Sequence, residues 1–459
     1  MRRTKIVATI GPVSESDEML DKLIAAGMDV ARMNFSHGSH EEHAERIRRV
    51  RAAAVRAGKP LAILQDLQGP KIRTGMLVNG EPVQLKTGSR FTISIHEFPG
   101  TPDRVSTTYK ALAGDVKPGD RILLSDGLIH LRVVEEREGD VITDVVSGGT
   151  LRERQGINLP GVNVSAPSLT EKDIADLEFG FTQDIDWVAL SFVRKAANVE
   201  DLRARITAAG KTTPIMAKIE KPEALDDLDN IIAAVDGVMV ARGDLGVEIP
   251  PEQVPVAQKL IISTCNRMGK PVITATQMLD SMIRNSQPTR AEASDVANAI
   301  IDGTDAVMLS GETAVGAYPV ESIEMMARIA EVTEGSGLLG TYADDVSPAF
   351  LHKLQVNDPI SVAARAVQPS MPVRAIVAFT MSGATAIRVA RQRPTCEIYA
   401  LTPDAGVYDR LNLVWGVTPL FSEDIHDLAE LSEYVKIEFK ARGYAKPGEA
   451  VVMTGGYPI

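Results

Sequence analysis

The sequence predicts an α/β protein built on a closed (β/α)8 barrel, with an all-β insertion after the third strand and a second α/β domain at its C-terminal side. Three observations predict it. Short β-rich runs alternate with helical patterns on both sides of a helix-poor region. Those runs number eight outside that region, and polar residues cluster where they end.

The chain opens in βαβαβ order: Lys5–Ile10, a helix from about Asp17, Val30–Asn34, a helix from His40, then Leu61–Asp66. From Lys71 to Asn163 the pattern changes to closely spaced strand-like segments with turn pairs such as Asn79-Gly80, Pro118-Gly119, Asp126-Gly127 and Gly148-Gly149. The alternation resumes with a helix over Glu171–Phe181, opened by Ser168 and Thr170 as caps. Strand-like runs follow at Trp187–Phe192, Ile215–Ile219, Gly237–Val240, Val272–Ala275 and Ala306–Leu309. Three runs before the insertion and five after it make the eight of a TIM barrel. An open doubly wound sheet would need a switch point in strand order, and no stretch supplies one. The breaker-rich stretch Gly335–Pro348 ends the barrel, and Val373–Phe379, Glu397–Leu401, Val417–Leu420 and Ala450–Met453 form a further α/β unit. The expected domains are barrel 1–69, β lid 70–165, barrel 166–338 and C-terminal α/β domain 339–459.

Composition fits this plan. A chain of 459 residues has room for about three domains. Hydrophobic residues make up 44% and aromatics only 4%, so the core is mostly Ala, Val, Ile and Leu, as in a helix-covered parallel sheet. A net charge of −12 argues against a nucleic-acid partner. Cys265 and Cys396 make no disulfide framework, which points to a reducing compartment, and Cys265 in its apolar stretch reads as a core residue. The apolar run after Arg2-Arg3 is too short for a signal peptide and no stretch matches a membrane span, so a cytoplasmic protein is expected.

In such barrels the site lies at the C-terminal ends of the strands. The fifth run carries Lys218 and Glu220 at i and i+2, so both side chains leave one face. After the sixth come Arg242, Gly243 and Asp244, with glycine admitting close approach of a ligand to the backbone. Glu220 and Asp244 are hard oxygen ligands too few to complete a shell, which suits Mg2+ shared with a phosphorylated substrate. Further strand ends supply Arg32, Asn34 and Ser36 at period two, then Asp66, Thr274 and Thr276, and Ser310 and Glu312. His37, beside a turn, is as consistent with a structural role as with ligand binding. Such a set serves a transferring phosphoryl group or an enolate equally well.

The segments TKIVATIGP, ARMNFSHG, GINLPG, MAKIEKPEA, GVMVARGDLGVEIP, ITATQMLDSM, PTRAEASDVANAIIDGTDAVMLSGETAVGAYP and VVMTGG resemble the pyruvate kinase family, in family order over nearly the whole chain. The resemblance implies phosphoryl transfer from phosphoenolpyruvate to ADP, giving pyruvate and ATP, in a glycolytic homotetramer. It implies Mg2+, or Mn2+ in its place, on Glu220 and Asp244, and Lys218 as the charge for the phosphoryl group. It further implies phosphate contacts from Arg32 and Arg73, and nucleotide contacts from Arg73, His37 and Asn34. The substrate carboxylate falls to the Gly243 and Asp244 amides with Thr276, at a helix N-terminus. Thr276 also stands on the proton route to C3.

Three departures from the family pattern matter. Where the family has Glu beside its K+ site of Asn, Ser, Asp and a Thr carbonyl, this chain has Lys71, near Asn34, Ser36 and Asp66. An ammonium there supplies the charge of K+ and repels a second cation, so K+ independence is expected. In the alternative, Lys71 faces solvent and K+ still binds. Gln155 stands where a nucleotide-contacting Lys is common, with Arg154 next to it. The chain stops at Ile459, after Thr454-Gly455-Gly456, where the family continues through a final strand. Thr380–Thr385 reads as an anion-binding turn for a sugar phosphate or AMP effector, or as a plain helix cap. The rival functions are a Mg2+-dependent aldolase or lyase working through pyruvate enolate, and an inactive metabolite-binding paralogue.

Overall fold

The computed structural model describes residues 2–339, 358–367, 371–423, 425 and 427–455. Eight parallel strands close into a barrel: Lys5–Thr9, Val30–Asn34, Ala62–Asp66, Trp187–Leu190, Ile215–Ile219, Gly237–Ala241, Val272–Ala275 and Ala306–Leu309. The third strand pairs directly with the fourth, Trp187 opposite Leu64, so the inserted lid leaves the barrel wall unbroken. The fourth strand ends at Leu190, two residues before the end expected from the apolar run, which puts Ser191 and Phe192 in the loop.

Local chemistry sets the helix boundaries. Ser39 and Glu42 form a capping box at the start of His40–Ala57, and Gly58 ends that helix in the left-handed region. Thr170 with Asp173 does the same for Glu171–Phe181, so Thr170 and not Ser168 is the cap. Ile, Val, Leu and Ala fill the space between strands and helices, with Cys265 fully buried among them.

The lid is β-rich, as its turn pairs require: a six-stranded sheet and a two-stranded one around Phe91, Ile93, Val105 and Leu131. The C-terminal unit is a four-stranded parallel sheet of Val373–Phe379, Glu397–Thr402, Val417–Phe421 and Ala450–Gly455. The breaker stretch begins later than expected, because the helix Pro319–Gly335 runs to its first glycine. Its residues 340–348, and Gly456 to Ile459, lie outside the described residues.

The C-terminal unit closes the N-terminal mouth of the barrel. Leu413 joins the barrel-interior cluster of Val7, Val30, Ala62, Leu64 and Trp187. Asn412 Nδ2 donates to the carbonyls of Asp29 and Pro60, just before the second and third strands. This mouth also carries one arrangement four times: an Asp preceding each even strand accepts the N–H at the head of the strand before it. The pairs are Asp29 with Ile6, Asp186 with Ile63, Asp236 with Ile215 and Asp305 with Val272. Each Asp also meets an arginine, respectively Arg2, Arg51, Arg203 and Arg393.

Candidate active site

At the opposite mouth the strand ends bring charge together. Arg32, at the end of the second strand, donates Nε to Asp66 Oδ2 at 2.7 Å and Nη1 to Thr9 Oγ1 at 2.9 Å. Lys218 lies 3.3 Å from Asp66 Oδ1 and 2.8 Å from Glu220 Oε1, and donates to Ser191 Oγ at 2.9 Å. Arg32, Asp66, Lys218 and Glu220 thus form one continuous chain of buried charge across three strands. The i, i+2 spacing of Lys218 and Glu220 does put both on the cleft side.

Burial opposes every charge here, so the partners decide. Desolvation pulls the Lys218 ammonium down, but Asp66, Glu220 and Asp244 outweigh it and hold its pKa above that of an ordinary lysine. Burial pushes Asp66 up, and Lys218 with Arg32 reverses that, leaving its carboxyl below the usual range. Glu220 goes the other way: burial raises it, Lys218 opposes and the neighbouring Asp244 adds to the rise.

Glu220 has two unlike oxygens. Oε2 accepts the Phe192 N–H at 2.7 Å, whereas Oε1 is buried with no well-aligned hydrogen bond. That oxygen, with Asp244 near enough to repel it, is the donor set that a hard divalent cation takes. Among the described residues no group of three His, Cys, Asp or Glu forms a self-contained metal cluster.

Asp244 and Gly243 lie in the first turn of the helix Arg242–Glu248, where backbone N–H groups lack helical partners. Gly243 is required for space: a Cβ there would sit 2.6 Å from Thr276 Cγ2. Thr276 is accordingly pressed against this turn, with φ at +74°. Arg242 does not serve the cleft; it donates Nη2 to the Thr276 carbonyl at 2.7 Å and pairs with Asp295 at 2.7 Å, holding that left-handed loop. Thr274 bonds Thr304 inside the barrel wall, and Glu312 accepts the N–H groups of Leu279 and Ser310. These strand-end residues build the rim and leave the cleft to their neighbours.

Asn34 Oδ1 accepts the Ser36 N–H at 3.1 Å. His37 is exposed; what burial it has, together with Lys71, Arg73, Arg32 and Lys172, lowers its pKa below that of an ordinary histidine. Lys71 is exposed and forms no ion pair among the described residues, while Asp66 is held by Arg32 and Lys218. Lys71 and Arg73 line a cavity of about 230 Å³ between lid and barrel, together with Arg154, Gln155 and Asn158 of the lid and Phe192, Lys221 and Asp244 of the barrel. Gln155 is half-buried there and Arg154 exposed, with the Arg154 carbonyl accepting from Arg73.

Sequence reasoning missed the fourth strand end. Ser191 and Phe192 touch Lys218 and Glu220, yet the apolar run hid them inside a strand. It also missed Glu248, whose Oε1 accepts both Lys221 at 2.7 Å and Asn158 of the lid at 3.0 Å.

A closed barrel whose C-terminal mouth gathers an ammonium, two carboxylates and the start of a short helix beneath a β-rich lid has the layout of a barrel enzyme. Residues 1–323 match the model of the pyruvate kinase barrel domain, and residues 358–459 that of the pyruvate kinase alpha/beta domain. The chain is 49% identical to a pyruvate kinase of Geobacillus stearothermophilus, covering 100% of this chain and 78% of that one. It is 46% identical to pyruvate kinase 2 of a Synechocystis strain, over 99% and 76% of the two chains. The crystal structure of a pyruvate kinase from Cryptosporidium parvum superposes with a TM-score of 0.94 at 37% identity, covering 100% of this chain and 94% of that one. The chain belongs to the pyruvate kinase family.

Proposed function

We infer that this chain transfers the phosphoryl group of phosphoenolpyruvate to ADP, giving pyruvate and ATP. The observation that carries the reading is the Lys218 ammonium, kept protonated by Asp66, Glu220 and Asp244 at the mouth the lid covers. In this reaction the enol C–O–P link breaks at phosphorus, a new P–O bond forms to the terminal phosphate of ADP, and charge spreads over the equatorial oxygens. A fixed point charge beside those oxygens is the contribution that Lys218 can make. Glu220 and Asp244 hold Mg2+, or Mn2+, which when bound supplies Lewis-acid charge for phosphate and enolate oxygens. The amides of Gly243 and Asp244 take the substrate carboxylate, and Thr276, packed on that turn, stands on the proton route to C3 of the enolate. Arg32 and Arg73 contact phosphates. His37 and Asn34, with Arg73, contact the nucleotide, Arg73 from the lid cavity that it lines.

An aldolase working through pyruvate enolate has no need of the lid cavity or of Lys218. An inactive paralogue has no need of Lys218, Glu220, Asp244 and Thr276 together. Lys71 serves as the internal cation in place of K+, near Asn34, Ser36 and Asp66. Its electrostatic effect on His37 supports its nearness to the site, while its exposure is what the solvent-facing alternative expects. A sugar phosphate or AMP effector fits the cleft between barrel and C-terminal unit, which the 381–384 turn lines together with Arg203, Lys270 and Arg388. A homotetramer is supported by Val256 and Leu260, exposed one turn apart on the helix Val254–Met268. No helix among the described residues is long and apolar enough to cross a membrane, in keeping with a cytoplasmic setting.

The test is pyruvate formation from phosphoenolpyruvate, ADP and Mg2+ with tetramethylammonium as the other cation, repeated with added K+. Equal turnover in both is expected. Activity only with K+ would keep the kinase and remove the role of Lys71. No activity in either would remove the kinase reading.

A further inference from the structure

We propose that Ser191 is a positioning residue for Lys218, setting where the ammonium stands for phosphoryl transfer; this rests on the role inferred for Lys218. The Ser191 side chain is buried, and its hydroxyl donates its single proton to the Leu67 carbonyl at 2.7 Å. Its lone pairs therefore face Lys218 Nζ, which donates to it at 2.9 Å. The other two contacts of the ammonium are carboxylates, Glu220 Oε1 at 2.8 Å and Asp66 Oδ1 at 3.3 Å. Ser191 is thus the neutral member of the triad. It fixes a third direction of the ammonium beside the two carboxylates, and does so without adding to the negative charge that a phosphate must approach.

The hydroxyl is itself held from two sides. Leu67 follows the third strand, and its N–H donates to the Ala189 carbonyl at 3.1 Å, locking the two strand ends together. Gly69 packs so tightly that a Cβ there would lie 2.8 Å from Ser191 Cβ, and its φ is +69°. On the far side, Phe192 adopts φ of +54° and turns its N–H to Glu220 Oε2 at 2.7 Å. One two-residue turn therefore fixes both the ammonium, through Ser191 Oγ, and the Glu220 carboxylate, through the Phe192 amide on its Oε2.

The experiment is a double-mutant cycle, measuring kcat and the KM values for phosphoenolpyruvate and ADP in the parent, Ser191→Ala, Lys218→Met and the double variant. Ser191→Ala is expected to lower kcat about tenfold, with each KM within about threefold, since misplacement of a reacting group acts on the transition state. In the Lys218→Met background the same change is expected to have less than about a twofold effect, because the group it positions is gone. If Ser191→Ala stays within about twofold of the parent, or loses the same factor in both backgrounds, the proposal is overturned and Lys218 keeps its role. If Lys218→Met stays within about tenfold, the Lys218 reading falls and the Ser191 proposal with it. Should Ser191→Ala prove insoluble, Ser191→Cys carries the same cycle, its thiol being a weak acceptor in the same place.

Discussion

The two mouths of the barrel hold buried acids in opposite states. At the N-terminal mouth the carboxylates are answered by protein. Asp186 Oδ2 accepts the Ile63 N–H at 2.6 Å and Arg51 at 2.7 Å, and Asp305 accepts the N–H groups of Val272 and Trp415. At the C-terminal mouth Asp66 Oδ1 and Glu220 Oε1 are as deeply buried yet find no aligned donor among the described residues. Among the described residues their one close cation is Lys218, shared between them. A buried polar atom left open is costly unless a ligand answers it. One strand layout thus carries an end whose acids the protein satisfies and, on the proposed function, a reactive end whose acids it leaves open.

The sharpest way to break this comparison is at Lys218. Lys218→Met is expected to lower kcat by on the order of 10²–10³, because a preorganised charge is lost from the transition state. Its urea midpoint should fall as well, since the buried Asp66 and Glu220 carboxylates lose the cation they share. A variant that loses only stability and keeps turnover would reverse the assignment of this mouth.

The converse change is Leu413→Ala, which empties the plug of the opposite mouth. A fully buried leucine of this kind is expected to cost about 3–4 kcal/mol of stability. At a temperature where the variant is folded, kcat should remain within about twofold. A large loss of kcat in folded protein would show that the plug shapes the active mouth, and the separation of roles would fail.

What the sequence discloses follows the same division. Lys218 and Glu220 are legible because period two and a strand end suffice to aim them. Ser191 and Phe192 are not, since an aromatic residue extends the apolar run and nothing marks a left-handed turn at a non-glycine residue. Arg242, Thr274 and Glu312 occupy strand ends of the same form, but their partners, Asp295, Thr304 and the Leu279 amide, come from segments whose approach only the fold defines. The acid ring has a textual trace in Asp29-Val30, Asp186-Trp187-Val188, Asp236-Gly237-Val238 and Asp305-Ala306-Val307. Its meaning waits on the barrel register, which sets each Asp against the head of the neighbouring strand.

That ring supplies the smallest of the effects. Burial raises the Asp186 carboxyl to about 6; Arg51 opposes the rise, while Asp409 of the C-terminal unit, sharing that guanidinium, adds to it. An unfolded aspartate titrates near 3.9, so between about pH 4 and 6 the folded chain binds the extra proton. The contribution is fully present below about pH 4 and is lost as pH rises through 6. A separation of roughly two units amounts to about 2–3 kcal/mol. Asp186→Asn removes the titration while Arg51, Asp409 and the other acids stay in place. The parent's urea midpoint minus the variant's should therefore fall from pH 4 to pH 7, with most of the change by pH 6. A difference that stays flat, or rises, would mean that Arg51 already holds Asp186 ionised in this range, so that the ion pair outweighs burial at this mouth.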